Sequence, residues 1–192
     1  MPEPIDRREP FTDDVIARAT VGEPIRLDGR IELHESDPAW AALYVREAAR
    51  IWDVLGDRAI VVEHVGSTSV PGLAAKPIID IVLAVADSTD EESYVPALEA
   101  EGYVLTICEE DWFEHRMFKG PVTNINLHVF SEGVSEIDRM LAFRNHLRAN
   151  PADRALYENV KRDLASRDWK FVQNYADAKS QVVADIMQRA LG

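Results

Sequence analysis

The chain has 192 residues and a single cysteine, so no disulfide framework is available and packing alone must hold its core. Long apolar runs are also missing. The most apolar stretch, Pro77 to Ala86, is interrupted by Asp80 and falls far short of the ~20 residues that a membrane helix needs. The stretch MPEPIDRREPFTDDV carries no apolar segment after its charges and reads as no signal peptide, so a cytoplasmic protein with no membrane partner is expected. Positive charge is scarce: 34 acids stand against 21 bases, for a formal net charge of -13. Non-specific coating of duplex DNA relies on a cationic face and is not expected, although a local basic site remains open. What is present is 46% hydrophobic and 29% charged residues, enough for one domain with an appendage.

Residues 1 to 28 mix Pro, Asp, Glu and Arg and read as an amino-terminal arm, packed in part, with Thr12 as a helix cap. Residues 29 to 192 read as the domain. Arg30 to His34 alternates as a short strand. Asp37 and Pro38 open an amphipathic helix whose Trp40, Leu43, Tyr44, Ala48, Ile51, Trp52 and Leu55 recur at three and four until Gly56. Strands follow at Ala59 to Val65 and Ile78 to Val85, separated by GSTSVPGLAAKP. A helix is expected from Thr89 to Glu101, a strand from Tyr103 to Ile107, and a hairpin from Trp112–Lys119 and Thr123–Phe130 around Gly120-Pro121. Three helices close the chain: one capped by Ser135 and reaching Ala149, one from Pro151 to Arg167, one from Asn174 to Leu191. Charge is uneven, with nine acids and no Lys or Arg in 86 to 111, and eight bases against four acids in 139 to 170. The last helices can therefore bring cations to one side of the sheet.

Several residue groups could carry chemistry. In His64-Val65-Gly66-Ser67-Thr68-Ser69 a strand ends in Gly-Ser and turns toward a short helix, which aims amides and hydroxyls outward and suits a phosphate; glycine also lets a ligand approach the backbone. The same pattern serves equally as a capped turn. Asp80 lies within Ile78-Ile79-Asp80-Ile81-Val82-Leu83, and a carboxylate there costs several kcal/mol unless a cation, metal or donors meet it. Lys76, or a base of the last helices, could also satisfy it as a structural ion pair. In the strand Asn124 to Val129, Ile125, Leu127 and Val129 face one way and Asn124, Asn126 and His128 the other. Arg116 sits on the neighbouring hairpin arm, where its fork suits phosphate, Asp80 or Glu114. Tyr157–Lys161 and Tyr175–Lys179 repeat one helical spacing and put two lysines over the sheet edge or over a packing surface. Cys108 precedes three acids that would raise its pKa, so it is no nucleophile.

The run EHVGSTSVPGLAAKPIIDIVLAV, the Asp-Pro-X-Trp helix start, HRMFKG, NINLHVF and LAFRNHLR resemble the GrpB family, over residues 30 to 190. That family is similar in pattern to the nucleotidyltransferases of the DNA polymerase beta superfamily and also occurs fused behind dephospho-CoA kinases. No GxxxxGK[ST] loop is present here, so the kinase half is absent. The resemblance implies an α+β fold: a small mixed sheet flanked by helices, with carboxyl-terminal helices closing a groove. The superfamily places Gly-Ser, a spacer and then two alternate acids on a strand, with a third acid on a later strand. Gly66-Ser67, twelve intervening residues and Asp80 match, but the second acid is Val82, and His128 stands where the third is expected. Two acids two apart on a strand would hold two metals. Here Asp80 and His128 are the expected ligands of a divalent metal, magnesium, manganese or zinc, or else a plain hydrogen-bonded pair.

The expected function is binding of a nucleoside triphosphate or other phosphorylated small molecule. Asp80 is the catalytic residue, and Gly66, Ser67, Ser69, Lys76, Arg116, Asn126, Lys161 and Lys179 hold the phosphates. Nucleotidyl transfer would follow if catalysis survives Val82; a non-catalytic nucleotide or metabolite sensor is the alternative. A metal-dependent hydrolase using His64, Asp80 and His128 is a third reading.

Overall fold

A computed structural model describes residues 11–191. Five strands form one sheet in the order β1-β2-β5-β4-β3: β1 (Val61–Val65), β2 (Ile79–Val85), β3 (Val104–Glu109), β4 (His115–Lys119) and β5 (Ile125–Ser131). The β2–β5 pair is parallel and the other three pairs are antiparallel, so the sheet is mixed. Seven helices flank it among the described residues: α1 (Asp13–Ala19), α2 (Ala39–Leu55), α3 (Val95–Ala100), α4 (Ser135–Ala149), α5 (Pro151–Ala165), α6 (Val172–Ala178) and α7 (Ser180–Leu191). The expected α+β architecture is what the chain adopts.

Strand alternation sends side chains to two different layers. One face carries Val62, Ile81, Leu83, Leu127, Val129 and Phe118 into the main core, against Ile51 and Leu55 of α2 and Leu98 of α3. The other face carries Val65, Val82, Ala84 and Phe130 against Ile137 of α4. A third cluster, with Val70, Leu73, Leu147, Tyr157, Val182 and Ile186, seats the carboxyl-terminal helices on the segment between β1 and β2. That segment is therefore clamped between sheet and helices.

Several expectations are corrected. Arg30 to His34 forms no strand; its neighbourhood makes isolated bridges only, Gly29 with Trp169 and His34 with Ala75. Trp52 leaves the core face of α2 and stays 42% exposed. The helix expected over 89 to 101 is a 3-10 turn at Glu91–Ser93 followed by α3, with Pro96 in the first turn, where a missing N–H costs least. Val134, rather than Ser135, caps α4. The helix expected from Asn174 breaks at Lys179 into α6 and α7.

Residues 1 to 10 of the expected arm lie outside the described residues. From Phe11 onward the segment packs: Thr12 Oγ1 accepts from the Val15 amide, Ile16 is 1% exposed, and Val21 donates to the Thr106 carbonyl of β3. The arm thus covers part of an edge strand whose groups would otherwise be open to pairing.

Val82 faces the same side as Asp80 but is 0% exposed, beneath α4. Alternation along β2 puts residue 82 on the face that carries Asp80, but at that position helix covers the face. Val82→Asp should bury a carboxylate among apolar groups and cost about 3 kcal/mol or more. Urea unfolding measures this; an unchanged midpoint would show that the site is open.

Candidate functional site

Sheet register assembles the site. Opposed residues share a face, so Val65, Asp80, Asn126 and Lys119 form one row across β1, β2, β5 and β4. The adjacent row is Glu63, Val82, His128 and Met117. Asn126 Nδ2 donates to Asp80 Oδ1 at 2.7 Å, while Lys119 Nζ donates to Asn126 Oδ1 at 2.5 Å, so the amide bridges cation and carboxylate. His128 Nε2 lies 3.7 Å from Asp80 Oδ1. Of the polar row expected on β5, Asn126 and His128 thus meet Asp80.

Gly66 supports Asp80 from behind. It sits at φ +67°, and a Cβ there would stand 2.3 Å from Asp80 Oδ2. The close approach that glycine permits at this turn is made by the carboxylate itself. Gly66→Ala should cost about 1–3 kcal/mol from backbone strain alone and displace Asp80, as thermal unfolding and a crystal structure would reveal.

The rest of the turn bonds internally. The Ser69 amide and hydroxyl both donate to the Gly66 carbonyl, at 3.3 and 2.6 Å, and the Val70 amide donates to Ser67. Thr68 donates to the Ile78 carbonyl and also meets His64 Nε2, while the Ser67 hydroxyl pairs with Tyr157. Arg148 of α4 grips the Ser69 carbonyl with two nitrogens. Ser69 therefore has no donor left for phosphate, which corrects that expectation.

Four lysines surround the lone carboxylate. Lys76 precedes β2, Lys119 ends β4, Lys161 projects from α5, and Lys179 occupies the break between α6 and α7. Each interacts electrostatically with Asp80, yet among the described residues none makes an ion pair with a carboxylate. Lys161 donates to the Ala74 carbonyl at 2.5 Å. Among the described residues Lys76 and Lys179 make no hydrogen bond and instead lie over the Tyr175 ring, 5.8 and 4.6 Å from its centroid. The Tyr175 hydroxyl is the one buried side-chain polar atom among the described residues without a partner.

Burial pushes Lys161 down to about 7, with Lys179 adding repulsion, and pushes Lys76 and Lys179 down to about 8. Lys119 is lowered for the same reason. Burial by itself would raise Asp80, but His128, Asn126 and Lys76 together hold it below the ordinary carboxylate range. The surroundings of Asp80 thus gather more positive than negative charge inside an acidic protein.

Two expected residues lie elsewhere. Arg116 pairs with Val129 and so faces the α2 and α3 side, where its Nε bonds Glu91 at 2.5 Å. It is corrected from phosphate ligand to structural ion pair, because its parity on β4 is opposite to that of Lys119. His64 also faces that side, stacked on Tyr44 at 4.8 Å, and burial lowers its pKa to about 4. The trio His64, Asp80 and His128 therefore does not converge, and no group of three His, Cys, Asp or Glu fit for a metal occurs among the described residues. Asp80 and His128 alone, ringed by ammoniums, are a poor donor set for a resident divalent ion.

Sequence reasoning missed Lys119, His115 and Glu109. Alternation along His115, Met117 and Lys119 was the available signal, but the hairpin register is needed to set it beside Asp80. His115 Nδ1 lies 2.7 Å from Glu109 Oε2, and its Nε2 lies 3.0 Å from His128 Nδ1.

The lysines also set a pH dependence. Their folded pKa values lie below the unfolded 10.5, so between about pH 7 and pH 9 the unfolded chain binds more protons and stability should rise with pH. Above about pH 10 the buried tyrosines, raised in the folded state, reverse the slope. Urea midpoints at pH 7 and pH 9 measure this, and Lys179→Met should flatten the rise; a midpoint that falls over that interval would contradict the burial of these ammoniums.

A model of the GrpB protein family matches residues 30–189. A UPF0157 protein of Halalkalibacterium halodurans is 62% identical over 181 residues, covering 94% of this chain and 93% of that protein. A UPF0157 protein of Streptomyces coelicolor is 48% identical over 184 residues, 96% of this chain and 94% of that protein. A dephospho-CoA kinase of Mycolicibacterium paratuberculosis is 28% identical over 211 residues, 96% of this chain but only 50% of that protein. Among solved structures, the conserved protein GrpB from Enterococcus faecalis matches with TM-score 0.73 and 34% identity, covering 83% of this chain and 97% of that one. No helix among the described residues is long and apolar enough to cross a membrane.

Proposed function

The chain belongs to the GrpB family, and on that premise we propose that the pocket around Asp80 binds a phosphorylated small molecule, with a nucleoside triphosphate first among the ligands to test. One observation carries the reading: four lysines converge on a single carboxylate, and two of them, Lys76 and Lys179, have neither a hydrogen bond nor an ion pair among the described residues. Unpaired, partly buried ammoniums are costly to keep. A polyanion repays that cost, because each ammonium then gains a charge-assisted bond. We place this activity in the cytoplasm.

Asp80 orients the cluster rather than contacting phosphate, since like charges repel. The family resemblance points further, to nucleotidyl transfer. Against two-metal transfer stands Val82, apolar and covered, where the second acid would sit. Binding without transfer is therefore the favoured form of the proposal. A divalent ion enters it only in company with the ligand, whose phosphates would complete the ligand set begun by Asp80 and His128.

Calorimetry and thermal shift with inorganic triphosphate, nucleoside triphosphates, CoA and dephospho-CoA test this, each with chelator and with magnesium. A ligand present at 100 times its Kd should stabilise the protein by about 2.7 kcal/mol. Lys179→Met should weaken binding about tenfold, the loss of one charge-assisted bond of about 1.4 kcal/mol. Asp80→Asn separates the two modes: it tightens metal-free binding by removing repulsion, and loosens binding that runs through a metal. If no phosphorylated compound shifts the unfolding temperature, the proposal fails.

A further inference from the structure

Helix α2 carries a second apolar stripe, on its solvent side. Ala42, Val45, Ala49 and Trp52 recur at steps of three and four, the spacing of a single helix face, and all four are exposed, Val45 at 63% and Trp52 at 42%. The opposite stripe of the same helix, with Trp40, Ala48, Ile51 and Leu55, is buried in the main core. A surface helix ordinarily turns polar residues to water; this one turns alanines, a valine and a tryptophan. The patch continues past the helix. Arg46 Nη2 donates to Thr123 Oγ1 at 3.1 Å, which brings up the loop that bears Val122, 80% exposed. Single exposed apolar residues are ordinary, but a contiguous set marks a contact surface.

The charges beside the stripe say what fits it. Arg46 and Asp53 stand on one edge, about two turns apart, and neither makes an ion pair among the described residues. When a copy of α2 is turned end for end about a two-fold axis at Ala49, Arg46 meets Asp53 of the second copy and Asp53 meets its Arg46. On the other edge, Val45 meets Trp52 of the second copy in the same way. Ala49, with only a methyl group at the axis, lets the two helices approach closely. A surface whose charges and apolar groups complement themselves on reversal is what a two-fold contact requires.

We propose that the exposed face of α2 is the contact of a homodimer, in which two α2 helices pack antiparallel across Ala49, with Val45 against Trp52 and Arg46 against Asp53 of the second copy. The proposal is independent of the phosphate site. Helix α2 packs on the sheet face opposite to Asp80, so pairing leaves both pockets uncovered.

Analytical ultracentrifugation of the full-length protein from about 1 μM to about 1 mM, the range suited to a small contact, tests this. Monomer should pass to dimer with no larger species, because a two-fold contact closes on itself. Val45→Glu and Trp52→Glu change exposed positions and should each weaken the dimer about thirtyfold while leaving the unfolding temperature of dilute protein unchanged. Should Trp52→Glu fail to fold, Val45→Glu carries the same test. Asp53→Arg sets like charges face to face and should also weaken the dimer, and adding Arg46→Glu should restore it. In a Cys108→Ser background, Ala49→Cys should form an intermolecular disulfide with oxidised glutathione, whereas Leu156→Cys, exposed on α5, should not. A monomer throughout that range overturns the proposal. So does a dimer that Val45→Glu and Asp53→Arg leave intact, or one in which Ala49→Cys gives no cross-link.

Discussion

One carboxylate in the middle of an apolar strand sets the terms for its surroundings. Asp80 is flanked along β2 by Ile79 and Ile81, both nearly fully buried. It stays ionised only because Asn126, His128 and the lysines offset the cost of burial. Gly66 is needed to give it room. Asn126 relays it to Lys119 through one amide, and the last helices supply Lys161 and Lys179. Without that carboxylate four ammoniums would face one another alone; with it, they still exceed it in charge, and the excess is what an anionic ligand would neutralise.

Holding Lys161 and Lys179 of the carboxyl-terminal helices against a strand requires those helices to be fixed. Arg144 of α4 bonds Glu63 and the His64 carbonyl on β1, and Arg148 bonds Ser69 on the turn. Asp153 near the start of α5 receives His146 from α4 and Arg189 from α7, each at 2.6 Å, so three helices meet at one side chain. Asn150 caps α5 by accepting from the Asp153 amide. The break at Lys179 has a consequence in this frame: it places the ammonium between two short helices, over Tyr175 and toward the pocket.

The two faces of the sheet divide the labour. The α2 side is almost wholly apolar, and its polar members pair off within the fold: His64 with Thr68, Arg116 with Glu91, and Glu47 with Tyr103 and Thr123. The α4 side changes character along the strands, from the Val82, Ala84 and Phe130 cluster under α4 to the Asp80, Asn126 and Lys119 row beneath the lysines. A shift of two residues along β2 is thus enough to pass from core to pocket. It is also why Val82, on the right face for a second acid, sits in the wrong place for one.

Much was legible in the sequence because it depends on short-range patterns. Strand alternation separated Asn126 and His128 from Leu127 and Val129, helical spacing marked α2, α4 and α5, and the isolation of Asp80 within an apolar run announced that it needed partners. The Tyr-to-Lys spacing of four picked out Lys161 and Lys179. What local patterns do not contain is register between distant strands. The β4–β5 pairing alone decided that Lys119 joins Asp80 while Arg116 turns to Glu91, and the β3–β4 pairing alone brought Glu109 to His115. Likewise, a glycine at a turn is visible in any sequence, but that its missing Cβ makes room for Asp80 fourteen residues later is a fact of close packing between β1 and β2. The sequence determined which side chains needed company; only the tertiary structure chose it, because alternation fixes a residue's face within one strand and pairing fixes its neighbours across the sheet.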